Sequence, residues 1–217
     1  MQTSTPSRST PSARRRDQQR QGARRAILDA TEALLVEHGL DRFSMRRLAS
    51  RCGYTAPTIY HHFEDKQGLI DAVVAARFEL MLDRVRRVRR REDPVDTLRA
   101  MLLEFARLGL ESPTHYRILA IPRPPGSAPL REAEQIRALL EEPLGELAAA
   151  GRLRDGGVEE AVQFVWALLH GLVSLRISRP DYAWSKRILE LSIDAALRGL
   201  VRPVRGGGTR GLAKSTR

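Results

Sequence analysis

The pattern of hydrophobic residues predicts a chain built of helices. Apolar residues recur every three or four positions over most of the sequence, and no alternating run of strand length occurs. Glycines, prolines and capping residues divide the pattern into about nine segments. We therefore expect an all-α fold of about nine helices, with three in an N-terminal domain and about six in a larger C-terminal domain.

The two shortest segments lie next to each other near the N-terminus. Ser44 is a typical N-cap residue, and Gly53 suits a helix end because glycine adopts the left-handed conformation without a Cβ clash. Thr55 then caps a second helix, on which Ile59 and Phe63 share one face. This arrangement is typical of a helix-turn-helix, whose second helix reads the DNA major groove. Two packed helices of an ordinary all-α domain would show the same periodicity.

The remaining segments are longer, and prolines interrupt two of them. The proline-rich run 122–129 is incompatible with a helix, and Pro143 is expected to kink or split the segment that contains it. The other helices are expected over residues 21–39, from Asp65, from Pro94, from Pro113, and over residues 130–150, 158–177 and 182–200.

The net charge of +11 lies entirely at the two ends of the chain. Residues 1–25 carry seven arginines and one aspartate, and residues 202–217 carry five cations and no acid. We expect four regions: a disordered basic arm (1–19), a helix-turn-helix domain (20–80), a C-terminal domain (81–201) and a disordered basic tail (202–217). The arm runs into the helix-turn-helix, so its arginines either neutralise DNA phosphates or stay solvated. Nothing in the sequence brings the tail near DNA.

Composition argues against several other classes of protein. No apolar run approaches the roughly 20 residues that span a bilayer, and the N-terminus lacks the apolar core of a signal peptide, so we expect a cytoplasmic protein. The single cysteine, Cys52, suits a small buried hydrophobic residue better than a redox sensor. The sequence contains no metal-ligand motif, no glycine-rich phosphate loop and no nucleophile elbow. We therefore expect no enzyme activity, no cofactor and no metal.

The glycine of the turn, Gly53, is followed by the run TAPTIYHHFEDKQGL, residues 55–69. This run is similar to the recognition helix and the start of the fourth helix of the TetR family of bacterial transcriptional regulators, and residues 24–80 as a whole resemble the N-terminal domain of that family. Farther along, Trp166, His170 and Gly171 resemble the Trp-His-Gly pattern of one TetR C-terminal subgroup. The resemblance implies a homodimer in which the last two long helices of each subunit form a four-helix bundle. It also implies that the C-terminal domain encloses a small-molecule pocket.

These expectations assign residues to three candidate sites. DNA contacts are expected from groove-facing side chains of the second short helix and from phosphate-binding groups around it. The resemblance adds Thr55 and Pro57 to the groove contacts. The full set is Arg24, Arg25, Ser44, Arg46, Thr55, Pro57, Thr58, Tyr60, His61 and Lys66. The candidate effector pocket is apolar with few polar tips: Phe78, Leu102, Phe105, Tyr116, Trp166 and His170. The candidate dimer interface uses apolar positions of the last two helices: Val162, Leu169, Val173, Ile188, Leu191 and Ala195.

The function expected from these sites is sequence-specific regulation of transcription. One short helix in a major groove makes few base contacts, so useful specificity requires two copies held about one helical turn of DNA apart. We expect a repressor that binds a palindromic operator as a homodimer and is released by a small hydrophobic effector. The alternatives are an architectural DNA-binding protein that responds to no ligand, and an enzyme. Equal binding to unrelated duplexes would favour the architectural protein.

Overall fold

A computed structural model describes residues 11–154 and 156–203 of the 217-residue chain. Within these ranges the protein is all-α, as the sequence predicts, with one isolated antiparallel bridge between Leu153 and Val201. The expectations for the basic tail beyond residue 203 and for the first ten residues lie outside the described ranges. The described helices are α1 (Pro11–His38), α2 (Met45–Cys52), α3 (Ala56–Phe63), α4 (Lys66–Arg86), α5 (Pro94–Glu111), α6 (Pro113–Leu119), α7 (Arg131–Ala149), α8 (Val158–Ser178) and α9 (Ile188–Leu200).

The chain divides into two compact units. The first, here the reader unit, runs to Leu82 and also includes Ser112–Glu134. The second, here the C-terminal unit, contains Asp83–Glu111 and the chain from Gln135 onward. The sequence analysis instead assigned residues 112–134 to the C-terminal domain. The hydrophobic pattern of residues 113–119 shows that α6 buries one face. Periodicity does not show whether that face packs in the core of the first or the second unit.

Ion pairs bind the segment Ser112–Glu134 within the reader unit. The Arg123 guanidinium makes two hydrogen bonds to the Asp71 carboxylate of α4, at 2.7 and 3.1 Å. These bonds hold the pKa of Asp71 below its usual value. On α6, the His115 Nε2 lies 3.0 Å from the carboxylate of Glu32 in α1. The proline-rich residues 122–129 of the segment contain no helix, as the sequence predicts.

The start of α1 differs from the sequence prediction. The helix begins at Pro11, so residues 11–19 are helical, whereas the sequence analysis expected them to be disordered. That expectation relied on the lack of apolar residues, but alanine, arginine and glutamine have high helix propensity and proline suits a first helical position. Arg24 and Arg25 consequently lie in the middle of α1. Their positive charges therefore do not lie in a first helical turn, where they would oppose the helix dipole.

Two later helices bear on the predicted pattern. α7 continues past Pro143, so the helix is not split there, and the kink expected at Pro143 stays a prediction. α9 begins at Ile188, although the apolar pattern suggested a start near residue 182. The indole N–H of Trp184 donates to the Arg179 carbonyl at 3.0 Å, which ties this stretch back to the end of α8. That side-chain bond competes with helix formation, and apolar periodicity does not detect it.

The C-terminal unit is built around α5. Both α8 and α9 pack against α5 and against each other. Leu98 and Leu102 of α5, Val165 and Val173 of α8, and Ile193 of α9 are fully buried. The Arg99 side chain of α5 bonds the Asp194 carboxylate of α9, with Nε at 2.5 Å and a second nitrogen at 3.2 Å. Apolar packing and this ion pair together fix α9 on α5.

The turn between α2 and α3 gives a direct test of the local fold. Gly53 has a φ of 71°, and a methyl group added there would meet no atom within 4 Å. Changing Gly53→Ala should therefore lower the free energy of unfolding through backbone strain alone, by about 1 to 2 kcal/mol. A methyl group added at Gly145, inside α7, would also meet no atom within 4 Å. Gly145→Ala should therefore raise the free energy of unfolding by about 0.5 to 1 kcal/mol, because alanine has the higher helix propensity. Urea denaturation of both variants measures the difference, and shifts of the same sign would contradict this account.

Candidate DNA-reading surface and effector crevice

Capping bonds define both helices of the predicted helix-turn-helix. The Ser44 hydroxyl accepts a hydrogen bond from the Arg47 backbone N–H at 3.3 Å at the start of α2. Gly53 ends α2 in the left-handed conformation, with its N–H bonded to the Ala49 carbonyl. The Thr55 hydroxyl accepts from the Thr58 backbone N–H at 3.3 Å and starts α3. Both caps and the glycine stop occupy the positions that the sequence predicts.

The two faces of α3 differ sharply in exposure. Ile59 and Phe63 are buried, whereas Pro57 and His61 are exposed and Tyr60 keeps 42% of its surface accessible. Thr58 is half-buried, and its hydroxyl lies 2.8 Å from that of Thr55. The solvent face of α3 therefore carries a phenol and an imidazole, together with a paired set of hydroxyl groups. Such groups are able to contact base edges.

Phosphate-binding groups flank this face. Arg46 on α2 is exposed, and the Ser44 hydroxyl accepts the capping bond while its own O–H stays able to donate. The Lys66 ammonium donates to the Phe43 carbonyl at 3.4 Å and lies 5.5 Å from the centre of the Phe43 ring. This contact places a cation at the start of α4, beside the entry to α2. An ammonium has three donors, so Lys66 is still able to bind a phosphate.

Arginines of α1 lie beside α3. The Arg24 guanidinium lies 5.0 Å above the ring of Phe63. Burial lowers the pKa of His62, and the positive charges of His61, Arg20 and Arg24 lower it further. Arg25 is exposed on the same helix. The sequence analysis missed Arg20, whose spacing of four residues from Arg24 on a helix would have revealed their shared face.

The C-terminal unit contains an apolar crevice with three aromatic rings. His170 stacks on Trp166 with ring centres 5.2 Å apart, and Phe105 meets His170 edge-on at 5.7 Å. The space open to the centre of a water molecule is about 10 Å³, roughly enough for one water. Burial lowers the pKa of His170, so its imidazole is mainly neutral at pH 7. The crevice is lined by Val85, Met101, Phe105, Ile136, Leu140, Trp166, Leu169 and His170.

The structure brings together only part of the predicted effector pocket. Phe105, Trp166 and His170 meet in the crevice, and Leu102 is fully buried in the same unit without lining it. Phe78 and Tyr116 are buried in the reader unit. The sequence analysis missed the other lining residues because their apolar spacing looks the same as that of ordinary core positions.

The predicted dimer residues on α8 require a correction. Val162, Leu169 and Val173 are at most 2% exposed in the single subunit, so they belong to its own core. α8 carries apolar residues on more than one side, and periodicity alone therefore does not show which of these sides faces α5. On α9, Leu191 and Ala195 are exposed and Ile188 is half-buried. The large apolar side chains exposed on these two helices are Phe164 at 47%, Leu175 at 52% and Leu191 at 46%.

Two further properties of the described residues bear on the class of protein. Helix α8 is long and apolar enough to cross a membrane when only its length and composition are considered. The sequence analysis expected no such segment. In the structure, one side of α8 packs against α5. Within residues 11–154 and 156–203, no group of three or more histidine, cysteine, aspartate or glutamate side chains is arranged to hold a metal ion.

Family comparisons agree with the fold and with the geometry of the turn. A family described as bacterial regulatory proteins of the tetR family matches residues 27–73, and a tetracyclin repressor-like C-terminal domain matches residues 98–200. Together the two matches cover most of the sequence, and the chain belongs to the TetR family of DNA-binding transcriptional regulators. Its relatives are regulators and not enzymes.

Individual relatives show the same relationship. The tetracycline repressor class D of Escherichia coli is 40% identical over 50 residues, which is 23% of this chain and 23% of that protein. The match thus spans about a quarter of that relative's length. A TetR-family regulator from Marinobacter aquaeolei shares the fold at 22% identity, with a TM-score of 0.69 over 88% of this chain and 100% of its own.

One solved relative also has a bound small molecule. SmeT, the repressor of the Stenotrophomonas maltophilia multidrug efflux pump SmeDEF, is 26% identical with a TM-score of 0.65, over 82% of this chain and 90% of its own. SmeT has also been solved in complex with triclosan, in a structure that aligns with a TM-score of 0.63.

The buried imidazole of His170 predicts a pH dependence of stability. Its pKa in the folded chain is below the unfolded value of 6.5, so the unfolded state binds more protons between these two values. The contribution of the neutral His170 imidazole to the free energy of unfolding is therefore complete above pH 6.5, and it is lost as the pH falls through the pKa of His170 in the folded chain. We expect the free energy of unfolding to fall between pH 7 and pH 5, and less steeply in His170→Gln, although His62 keeps part of the effect.

Urea denaturation at several pH values measures this dependence. An equally steep pH dependence in His170→Gln would contradict the assignment.

Proposed function

We propose that the protein is a ligand-responsive repressor that binds a palindromic operator as a homodimer and is released by a small apolar or aromatic effector. The observation that carries this proposal is the exposed polar face of α3, which starts at a capped turn and is bordered by cations of α1 and α4. This arrangement suits insertion of a helix into a major groove with phosphate contacts on both sides. The cytoplasm is the compartment in which such a bacterial regulator would act.

In this proposal the residues around α3 divide into two roles. Thr58, Tyr60 and His61 contact base edges, with Thr55 and Pro57 at the start of α3 close to the groove. The phosphate contacts come from groups that are exposed or keep a free donor: Arg24, Arg25, Ser44, Arg46 and Lys66. Pro57 has no polar side-chain atom, so hydrogen-bonded readout depends mainly on His61 and Tyr60.

A second subunit accounts for the exposed apolar residues of α8 and α9. Phe164, Leu175 and Leu191 each keep about half of their surface exposed, although large apolar patches are rare on monomeric proteins. Burying these side chains against a second copy would form a two-fold contact. It would also explain why α8 carries apolar residues on more than one side, because one side faces its own core and another faces the partner.

The effector site in this proposal is the crevice around Phe105, Trp166 and His170. Its lining is apolar and aromatic, which suits a hydrophobic ligand, and triclosan bound to SmeT is an aromatic molecule. The crevice has room for roughly one water, whereas small-molecule sites typically measure about 300 to 1,000 Å³. Binding must therefore favour a more open state. A ligand shifts an equilibrium only through unequal affinity for its two states.

Helix α4 is the element that we propose carries this change to the reader unit. Its first residue, Lys66, follows closely after α3, and Val85 near its other end lines the crevice. A shift of Val85 as the crevice opens would move one continuous helix. Such rigid-body displacement of a helix is a common way to couple two sites.

Substitutions in the DNA-reading surface test the assignment of Tyr60 and Lys66. Each change to alanine should weaken binding to an operator selected from the genome by about tenfold or more, because the side chain that touches a base or a phosphate is removed. Fluorescence anisotropy at physiological salt measures the affinity. Tyr182→Ala and Lys186→Ala are matched controls, because both residues are exposed and lie in the C-terminal unit. Unchanged affinity in the double variant Tyr60→Ala, Lys66→Ala would refute the assignment.

The basic start of α1 is expected to act through charge and not through base readout. Changing Arg15, Arg16 and Arg20 to glutamine keeps good helix formers and removes three positive charges. The slope of log affinity against log salt concentration should become shallower by about 0.9 for each phosphate that is no longer neutralised, while the preferred operator stays the same. Changing Arg87, Arg89 and Arg91 to glutamine is the control, because it removes the same amount of charge. An unchanged slope would show that this part of α1 is only solvated.

The proposed subunit contact predicts the effect of a charge placed on α9. Leu191→Arg should give monomers, because an arginine would be buried without a partner in the contact. Leu80→Arg makes the same change at a residue of α4 that is 56% exposed, and should leave the dimer intact. Sedimentation velocity at micromolar concentration distinguishes these states. A monomeric unchanged protein, or a dimeric Leu191→Arg variant, would be inconsistent with this contact.

A further inference from the structure

A groove lined with arginine lies in the C-terminal unit, apart from the aromatic crevice. Its walls come from the start of α5, the segment after α7 and the end of α9 with the residues that follow. The groove measures about 450 Å³ and opens to solvent. Its charged lining consists of Arg99, Arg152, Arg154, Arg198, Arg202 and Asp194. None of these residues belongs to the candidate DNA, effector or dimer sites described above.

Backbone hydrogen bonds hold two of the groove walls together. Leu153 and Val201 form the isolated antiparallel bridge. Beside this bridge, the Arg154 N–H donates to the Leu200 carbonyl at 2.8 Å, and the Arg202 N–H donates to the Arg152 carbonyl at 2.7 Å. Arg154 and Arg202 are therefore attached to backbone whose position is fixed. A site with a fixed backbone loses less conformational entropy when a ligand binds.

The positive charges in the groove are only partly balanced. Arg152 makes two hydrogen bonds to the Asp93 carboxylate, at 2.8 and 3.1 Å, and Arg99 pairs with Asp194. In the described chain, no carboxylate forms an ion pair with Arg154, Arg198 or Arg202. Asp194, which is already bonded to Arg99, is the one carboxylate of the lining and also attracts Arg198, so five arginines of the groove face Asp194 and the Asp93 that pairs with Arg152. The groove therefore keeps a net positive charge. Guanidinium groups bind phosphate and carboxylate through paired hydrogen bonds.

Apolar side chains form the rest of the lining. Val95, Leu197, Val201 and Pro203 contribute to it, so the groove offers apolar surface beside its cations. Residues 204–217, which follow Pro203 in sequence, carry four cations and no acid. Repulsion between like charges therefore disfavours the chain's own tail as the occupant. The combination of cations and apolar surface favours an organic anion over a bare inorganic ion.

We propose that this groove binds a small organic anion, with its phosphate or carboxylate group held by Arg154, Arg198 and Arg202 and its apolar part against Leu197 and Val201. This would give the regulator a second ligand site, which binds an anionic group, whereas the aromatic crevice suits an apolar ligand. The site requires neither DNA nor the proposed apolar effector. It can therefore be tested while the rest of the proposed function is still open.

Isothermal titration calorimetry of the full chain, without DNA and at low salt, tests the proposal with phenyl phosphate and inorganic phosphate as probes. Phenyl phosphate should bind more tightly than inorganic phosphate because only phenyl phosphate uses the apolar lining. The double variant Arg198→Gln, Arg202→Gln should weaken phenyl phosphate binding at least tenfold. Arg154→Gln alone should also weaken phenyl phosphate binding. This single change tests the same site if the double variant folds poorly.

The control is the double variant Arg87→Gln, Arg107→Gln, which removes two exposed charges outside the groove and should change the affinity less than twofold. Three results would overturn the proposal: no binding of phenyl phosphate at millimolar concentration, equal affinity for the two probes, or an equal reduction of affinity in the control. Sedimentation velocity of the same variants provides a further check. Loss of the dimer in Arg198→Gln, Arg202→Gln would assign these arginines to the subunit contact and would also overturn the proposal.

Discussion

The reader unit depends on the packing of α2 against α3 beneath a turn made at Gly53. Leu48 and Ile59 have no exposed surface, and Gly53 takes the left-handed conformation between their helices. These contacts determine which side of α3 faces solvent. If α3 rotated about its axis, Tyr60 and His61 would turn away from solvent, and Ile59 would leave the core. The packing of these two apolar side chains is therefore a condition for the exposed polar face of α3 on which the proposed DNA contact depends.

Much of the helix-turn-helix could be predicted because its signals are local. The caps at Ser44 and Thr55 and the glycine stop depend on residues within one or two turns of each other. The faces of α8 could not be assigned in the same way. Val162 and Phe164 are both apolar and only two positions apart, yet the first is 1% exposed and the second 47%. The side of α8 that is buried depends on where α5 packs. The residues of α8 alone do not contain this information, because α5 is distant in the sequence.

The other differences between prediction and structure have related causes. α1 starts early because residues 11–19 have high intrinsic helix propensity, although they include no large apolar residue. The segment Ser112–Glu134 joins the reader unit through Arg123 and His115, whose partners lie far away in the sequence. The aromatic crevice shows the same limit. Phe105, Trp166 and His170 could be named from their residue types, but the residues that line the crevice with them could not.

The central claim is that α3 reads DNA as one of two symmetric copies. The most direct test is to select fragments of the source genome with the full-length protein and to sequence those that bind. The selected fragments should share an inverted repeat whose half-site centres lie about 10 to 10.5 base pairs apart, or a multiple of that distance, because two readers must meet the same face of the duplex. Fragments enriched without any shared inverted repeat would contradict the claim.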